Sequence, residues 1–250
     1  MTNFFNSFCG ALIFYTTIPC PNFISPDFQK IPRWLPYIGF IIAGFLVLAY
    51  QGLIFLGISP LTTSVVLGTL WLIITGGLHF DGVMDSADGL AVTNAEKRLQ
   101  VMRDSVTGAF GVMAGIVVFF LKVASLSEMV DNTYLALILA PVWGRLAQLM
   151  AIGFYPYLRP EGKGFFLKES LQTPDFIFSF FSVIVLVLMQ FYYFDQNWLW
   201  IILINFICFV IAGVTGAWFN YKLGGHTGDT YGATVEWTEA LILVFLTAQS

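Results

Sequence analysis

The stretch Gly76–Gly111, GGLHFDGVMDSADGLAVTNAEKRLQVMRDSVTGAFG, carries five acids between two long apolar runs: Asp81, Asp85, Asp88, Glu96 and Asp104. A third of the chain's 15 acidic residues lie in it, although only 10% of the sequence is charged, so the clustering calls for a cause. Asp81, Asp85 and Asp88 follow an i, i+4, i+7 spacing, which on a helix puts all three on one face. Like charges stacked in this way repel unless a cation binds between them. The stretch therefore reads as a divalent-metal site at the edge of a membrane.

Outward from the motif the chain is apolar. It is 58% hydrophobic with 26 Phe, and its mean hydropathy is +0.80. Such a composition excludes an ordinary soluble core and describes an integral membrane protein. With no separate polar domain, residues 1–250 read as one all-α polytopic membrane domain. Spans are expected near Leu35–Leu56, Leu61–Leu78, Ala109–Leu126, Tyr134–Phe154, Phe176–Phe194, Trp198–Phe219 and Ala233–Ala248. Each approaches the ~20 apolar residues of a bilayer crossing, which gives about seven transmembrane helices. The last is short and contains Glu236 and Glu239. Phe4–Ile18 is also short and ends in Pro19-Cys-Pro21, so it is predicted to be an N-terminal re-entrant or interfacial helix. Lacking Lys or Arg before it, it makes a poor signal peptide. Cys9, Cys20 and Cys208 have no metal-ligand spacing, and their odd number argues against a disulfide framework. They read as small buried packing residues.

Net charge, −4, says little, because the distribution of cations orients a membrane protein. Lys30 and Arg33 precede the first span. Lys97, Arg98 and Arg103 lie between the second and third, Arg159, Lys163 and Lys168 between the fourth and fifth, and Lys222 follows the sixth. The alternate loops hold almost no cations, with Lys122 near one of them. The asymmetry puts the N-terminus and the charged loops in the cytoplasm. The acidic stretch, the Arg159–Lys168 loop and the loop 223–231 then share a side, as parts of one site would.

Individual residues carry the chemistry. Asp81, Asp85 and Asp88 are expected to bind metal, and Asp229 to complete the site from the opposite side. Asp104 reads as a further ligand or as a base, with a helix-cap role for Asp104 or Ser105 as the plain alternative. Arg103 matches phosphate oxygens with its planar fork. His79 would bond a phosphate or orient an acid, or else be a satisfied structural histidine. Glycines around Thr227, Gly228 and Asp229 let backbone N–H groups approach an anion. Glu236 and Arg145 lie inside spans, where charge is costly and usually functional. Arg145 would meet Glu236 or a substrate phosphate.

Four ordered segments resemble the cobalamin synthase (adenosylcobinamide-GDP ribazoletransferase) family. They are His79-Phe-Asp81-Gly82 with Asp85-Ser-Ala-Asp88-Gly89; Met102-Arg-Asp104-Ser105-Val-Thr-Gly108-Ala-Phe-Gly111; Tyr157-Leu-Arg159-Pro-Glu-Gly162-Lys163-Gly164; and Gly224-Gly-His-Thr227-Gly-Asp229-Thr-Tyr-Gly-Ala-Thr-Val-Glu236. Phe14-Tyr-Thr-Thr-Ile-Pro19 fits as well, although many members carry Arg where Thr17 stands. The resemblance implies a Mg²⁺-dependent enzyme of a bacterial or archaeal cell membrane. It would join adenosylcobinamide-GDP to α-ribazole, or to its 5′-phosphate, with release of GMP. The substrate phosphates would then meet Arg103, Ser105, Arg145, Arg159, Lys163, Thr227 and Glu236. No nucleic-acid partner is expected, and a homo-oligomer is left open. Asp85-Ser-Ala-Asp88-Gly89 also resembles, weakly, the opening acids of the CDP-alcohol phosphotransferases, but no Ala-Arg pair follows Gly89. A cation-coupled transporter is a third reading. It is weakened because most acids lie in loops on one face, whereas transporters usually place them in mid-span.

Overall fold

Proline and glycine punctuate the chain. The computed structural model describes residues 4–104, 106–129, 131–162, 164–194 and 197–249. Helix α1 covers Phe4–Tyr15, and after a 3-10 turn at Ile31–Trp34 come α2 (Leu35–Phe55), α3 (Pro60–Ile74), α4 (Leu78–Ala91) and α5 (Ala95–Val101). They are followed by α6 (Ala109–Glu128), α7 (Thr133–Phe154), α8 (Phe165–Ser170), α9 (Thr173–Tyr193), α10 (Trp198–Leu223) and α11 (Gly228–Thr247). Proline stands in the first turn of α2, α3 and α9, where its missing N–H costs no helical bond.

Among the described residues, α2, α6, α7, α9 and α10 are each long and apolar enough to cross a membrane. The predicted span Leu61–Leu78 is corrected. Its helix stops at Ile74, and the chain then turns through 91° into α4. Gly76 and Gly77 make the corner with φ of +61° and +70°, a left-handed backbone that suits glycine. Thr17 pins it, its hydroxyl donating to the Ile73 carbonyl at 3.0 Å and its N–H to that of Ile74 at 2.7 Å. Counting α3 and α4 as one bent pair gives up to six spans. Helix α11 matches the others in length at 20 residues, but its acids keep it out of the apolar set. The outward faces of α6, α9 and α10 present Phe120, Phe181, Leu188 and Phe206, the surface a bilayer would cover.

The centre is α7, buried along nearly its whole length, with α2, α10 and α11 packed around it. Gly39 on α2 allows close approach, since a Cβ there would lie 2.7 Å from the Pro141 carbonyl oxygen.

Two further readings change. Cys9 and Cys20 are joined by a disulfide rather than merely packed. The chain doubles back after α1, with Gly10 against the Asp27 backbone, and brings the two Cα atoms to 5.8 Å. Cys208 is buried and free, as expected. Lys122 is no loop-side cation: it is buried within α6, bonded to Glu236 at 2.6 Å and also to Glu239. Glu236 is therefore matched by Lys122, and Arg145, expected to meet Glu236 or a substrate phosphate, is a second buried cation beside the same acids.

Candidate functional site

Helix α4 carries His79, Asp81, Asp85 and Asp88 without a break, so the acids share a face as their spacing predicts. Two glycines bring α4 and α11 nearly backbone to backbone. A Cβ at Gly82 would strike the Asp229 carbonyl, and one at Gly232 would lie 2.9 Å from the His79 Cα. The Asp81-Gly82 pair thereby sets the acids of α4 beside Asp229. The Asp88 carboxylate turns toward α6, accepting the N–H of Gly108 at 2.6 Å and of Gly111 at 2.8 Å. It closes the N-terminus of α6, where a negative charge also complements the helix dipole. Gly89 takes the Met102 side chain against it, which anchors the charged segment 92–104 over the end of α4.

The opposite wall is built from the loops after α7 and α10. Leu158 N–H donates to the His226 carbonyl and His226 N–H to the Pro156 carbonyl, both at 2.8 Å. Thr227 and Thr230 cap α11 reciprocally, each hydroxyl accepting the other's N–H at 3.3 and 2.8 Å. The His226 ring is stacked between Tyr155 and Tyr231 and bonded at both nitrogens, to Thr230 and to the Gly216 carbonyl. Burial pushes its pKa down to about 4, so it is a neutral pin. Arg159 ties three segments together, donating to Asp229 at 2.7 Å and to the Leu99 carbonyl at 3.0 Å. The three polar loops therefore do converge on one end of the bundle.

Asp85 is the most perturbed of these acids. Partial burial, then the charges of Asp81, Asp229 and Asp88, push its carboxyl up to about 7, with Arg159 opposing. Asp229 is likewise raised by burial against the pull of Arg159. Among the described residues neither Asp81 nor Asp85 has a side-chain hydrogen bond or ion pair, and Asp81 is exposed. This donor set fits Mg²⁺, which takes one or two carboxylates and completes its shell with water and substrate oxygens. It would be an open site: among the described residues no group of three or more Asp, Glu, His or Cys converges as a preformed metal cage.

The remaining expected residues are dispersed. Arg103 and Asp104 are exposed on the rim, and Asp104 accepts the Val106 N–H at 3.2 Å, a local turn. Ser105 and Lys163 lie outside the described residues. His79 is buried beneath the acids with its ring beside Gln148, and among the described residues its nitrogens make no well-formed hydrogen bond. Arg145 is fully buried near Glu239, Glu236 and Tyr15, its guanidinium nitrogens without hydrogen bonds among the described residues. Sequence reasoning gave no role to Tyr15, Gln148, His226 and Tyr231; Tyr15, His226 and Tyr231 stand inside the segments that carry the family resemblance, and Gln148 lies outside them all. Lys122 had a signal, since a lone cation in an apolar run needs a buried partner.

Fold and site together define a polytopic helical membrane protein with an acid-lined polar site at one end of its bundle. Residues 7–247 match the family model described as cobalamin-5-phosphate synthase. Curated relatives named adenosylcobinamide-GDP ribazoletransferase are 48% identical in Trichormus variabilis, over 95% of this chain and 95% of theirs. The identity is 45% in Synechocystis sp., over 95% and 92%, and 43% in Thermosynechococcus vestitus, over 100% and 99%. No solved structure matches. The chain belongs to the cobalamin-5-phosphate synthase family, and it is a transferase.

Proposed function

We propose that this protein joins adenosylcobinamide-GDP to α-ribazole, or to its 5′-phosphate, at the end of the bundle where α4 meets α11. The ribose 3′-hydroxyl attacks the phosphorus attached to cobinamide. A new P–O bond forms there, the P–O bond to GMP breaks, and GMP leaves with the bridging oxygen. The observation that carries this reading is the pair of unpartnered carboxylates, Asp81 and Asp85, facing the Arg159–Asp229 pair. Phosphoryl transfer asks for charge and position more than for covalent help.

Asp81 and Asp85, with Asp229 beside them, would hold Mg²⁺, which supplies positive charge to the phosphate oxygens. Arg159 and the N-terminal end of α11 add fixed positive charge around the leaving phosphate. Asp104, with one oxygen free on the rim, takes the hydroxyl proton. Arg103 steers the incoming phosphates. The site faces the cytoplasm of a bacterial cell, since Lys97, Arg98, Arg103, Arg159 and Lys222 all belong to its end of the bundle.

The test is turnover by the purified protein in nanodiscs with both substrates, with and without Mg²⁺. GMP release and a cobalamin product are expected only with Mg²⁺. No GMP under any condition sinks the reading.

A further inference from the structure

Beneath the acids lies a cavity of about 300 Å³ that reaches from Asp81 and Asp229 at its mouth down to His79, Gln148, Tyr15 and Tyr231. These four side chains are buried, with exposures of 1%, 4%, 1% and 1%. Among the described residues, all four nevertheless bring polar atoms with no well-formed hydrogen bond: the His79 nitrogens, Gln148 Oε1 and the hydroxyls of Tyr15 and Tyr231. Gln148 lies against the His79 ring, and a bond between the two would still leave the second ring nitrogen and both tyrosine hydroxyls without a partner. Buried polar groups are ordinarily bonded, and several orphaned around one void mark the place of something that bonds them. The walls are otherwise flat and apolar. Tyr15 and His79 stack at 6.5 Å with 23° between their planes. Tyr231 is held by the His226 ring at 5.4 Å, and Phe14 closes one side.

We infer that this cavity receives the heteroaromatic base of the acceptor nucleoside, with Gln148 as a specificity-determining residue. A flat ring system with few polar edge atoms matches aromatic walls that carry a handful of donors and acceptors. The ribose would then stand at the mouth, beside Asp81 and Asp229, where its hydroxyl must react. A corrin macrocycle is too large for the cavity. A guanine would leave its paired N–H donors without the buried carboxylate that normally reads them, because among the described residues the acids lining the cavity, Asp81 and Asp229, stand at its mouth. The inference rests on the reaction proposed above.

Steady-state kinetics of Gln148→Leu test it, with each substrate varied in turn. The acceptor KM is expected to rise about tenfold, the factor for one lost hydrogen bond to a buried partner. The KM for adenosylcobinamide-GDP should stay unchanged. An unchanged acceptor KM, or equal rises in both, overturns the inference. A variant-free measurement guards against misfolding: photolysis of an azidobenzimidazole riboside on the intact protein, followed by peptide mapping. Label on the peptides of Phe14–Tyr15, Gln148 or Tyr231 supports the pocket. Label elsewhere, such as segment 92–104, or none at all, overturns it. Unmutated enzyme that releases no GMP removes the parent reading instead, so the two failures are separable.

Discussion

Two clusters of charge in this molecule follow opposite rules. On α4 the carboxylates of Asp81 and Asp85 stand at a polar end with no partner among the described residues. In the middle of the bundle, Glu236 and Glu239 are wholly enclosed, and Lys122 bonds both while lying 4.3 Å from the centre of the Trp71 ring. Both clusters place acids on helices of a membrane protein, and a reading by residue type alone treats them alike. What separates them is the state of the lone pairs. Enclosed carboxylates must be matched inside the fold, because an uncompensated buried charge is untenable. Carboxylates left unmatched beside solvent are available to a ligand.

The largest effect expected from this contrast is on turnover. Asp85→Asn should cut kcat by roughly 10³-fold, the scale for losing a fixed charge that stabilises a transition state. The thermal midpoint of the purified protein should not fall, since no internal bond of Asp85 is lost and repulsion with Asp81, Asp88 and Asp229 is relieved. Near-normal turnover would take Asp85 out of the site.

The enclosed cluster should respond in the opposite sense. Lys122→Met takes away both of its bonds and leaves two enclosed carboxylates against the single charge of Arg145, at a cost of about 3–5 kcal/mol. Chemical denaturation in detergent reads that loss directly. Adding Glu236→Gln to Lys122→Met should recover most of it, because Glu239 and Arg145 then balance each other and no enclosed charge is left over. A double variant as unstable as the single one breaks the comparison.

The two clusters differ, too, in how legible they were. The i, i+4, i+7 acids announce a shared helical face, and they keep it because α4 is continuous from Leu78 to Ala91. The convergence of three polar loops was readable from where cations fall between apolar runs. The bend after Ile74 was not, since Gly76-Gly77 looks the same in a helix end and in a loop, and only the corner bonded to Thr17 decides it. The Lys122–Glu236–Glu239 cluster joins residues more than a hundred positions apart, with sequence separations of 114 and 117, so no local pattern reports it. The Cys9–Cys20 disulfide escaped for a related reason, because an odd cysteine count is silent about any single pair.

A smaller effect should touch both properties at once. Gly82→Ala places a methyl against the Asp229 carbonyl, so α4 and α11 must part. Overpacking of this kind costs about 1–3 kcal/mol. The same displacement moves Asp81 and Asp85 away from Asp229, so turnover should fall with stability, unlike in Asp85→Asn. A variant that loses stability and keeps full kcat would show that the spacing of the two helices is unimportant to the chemistry.

Asp88 tests where the boundary between the two rules lies. It sits on the ligand-facing helix, yet both of its oxygens already accept backbone N–H groups, so by the lone-pair criterion it belongs with the enclosed acids. Asp88→Ala should then cost about 0.5–2 kcal/mol, the range for losing a helix cap. Asp88→Asn keeps an acceptor oxygen and should restore part of that stability, with kcat reduced far less than in Asp85→Asn. If Asp88→Asn instead abolishes turnover while keeping its stability, Asp88 is a ligand that also braces α6. A carboxylate would then serve both rules at once, and bonding within the fold would no longer identify which acids are free to act.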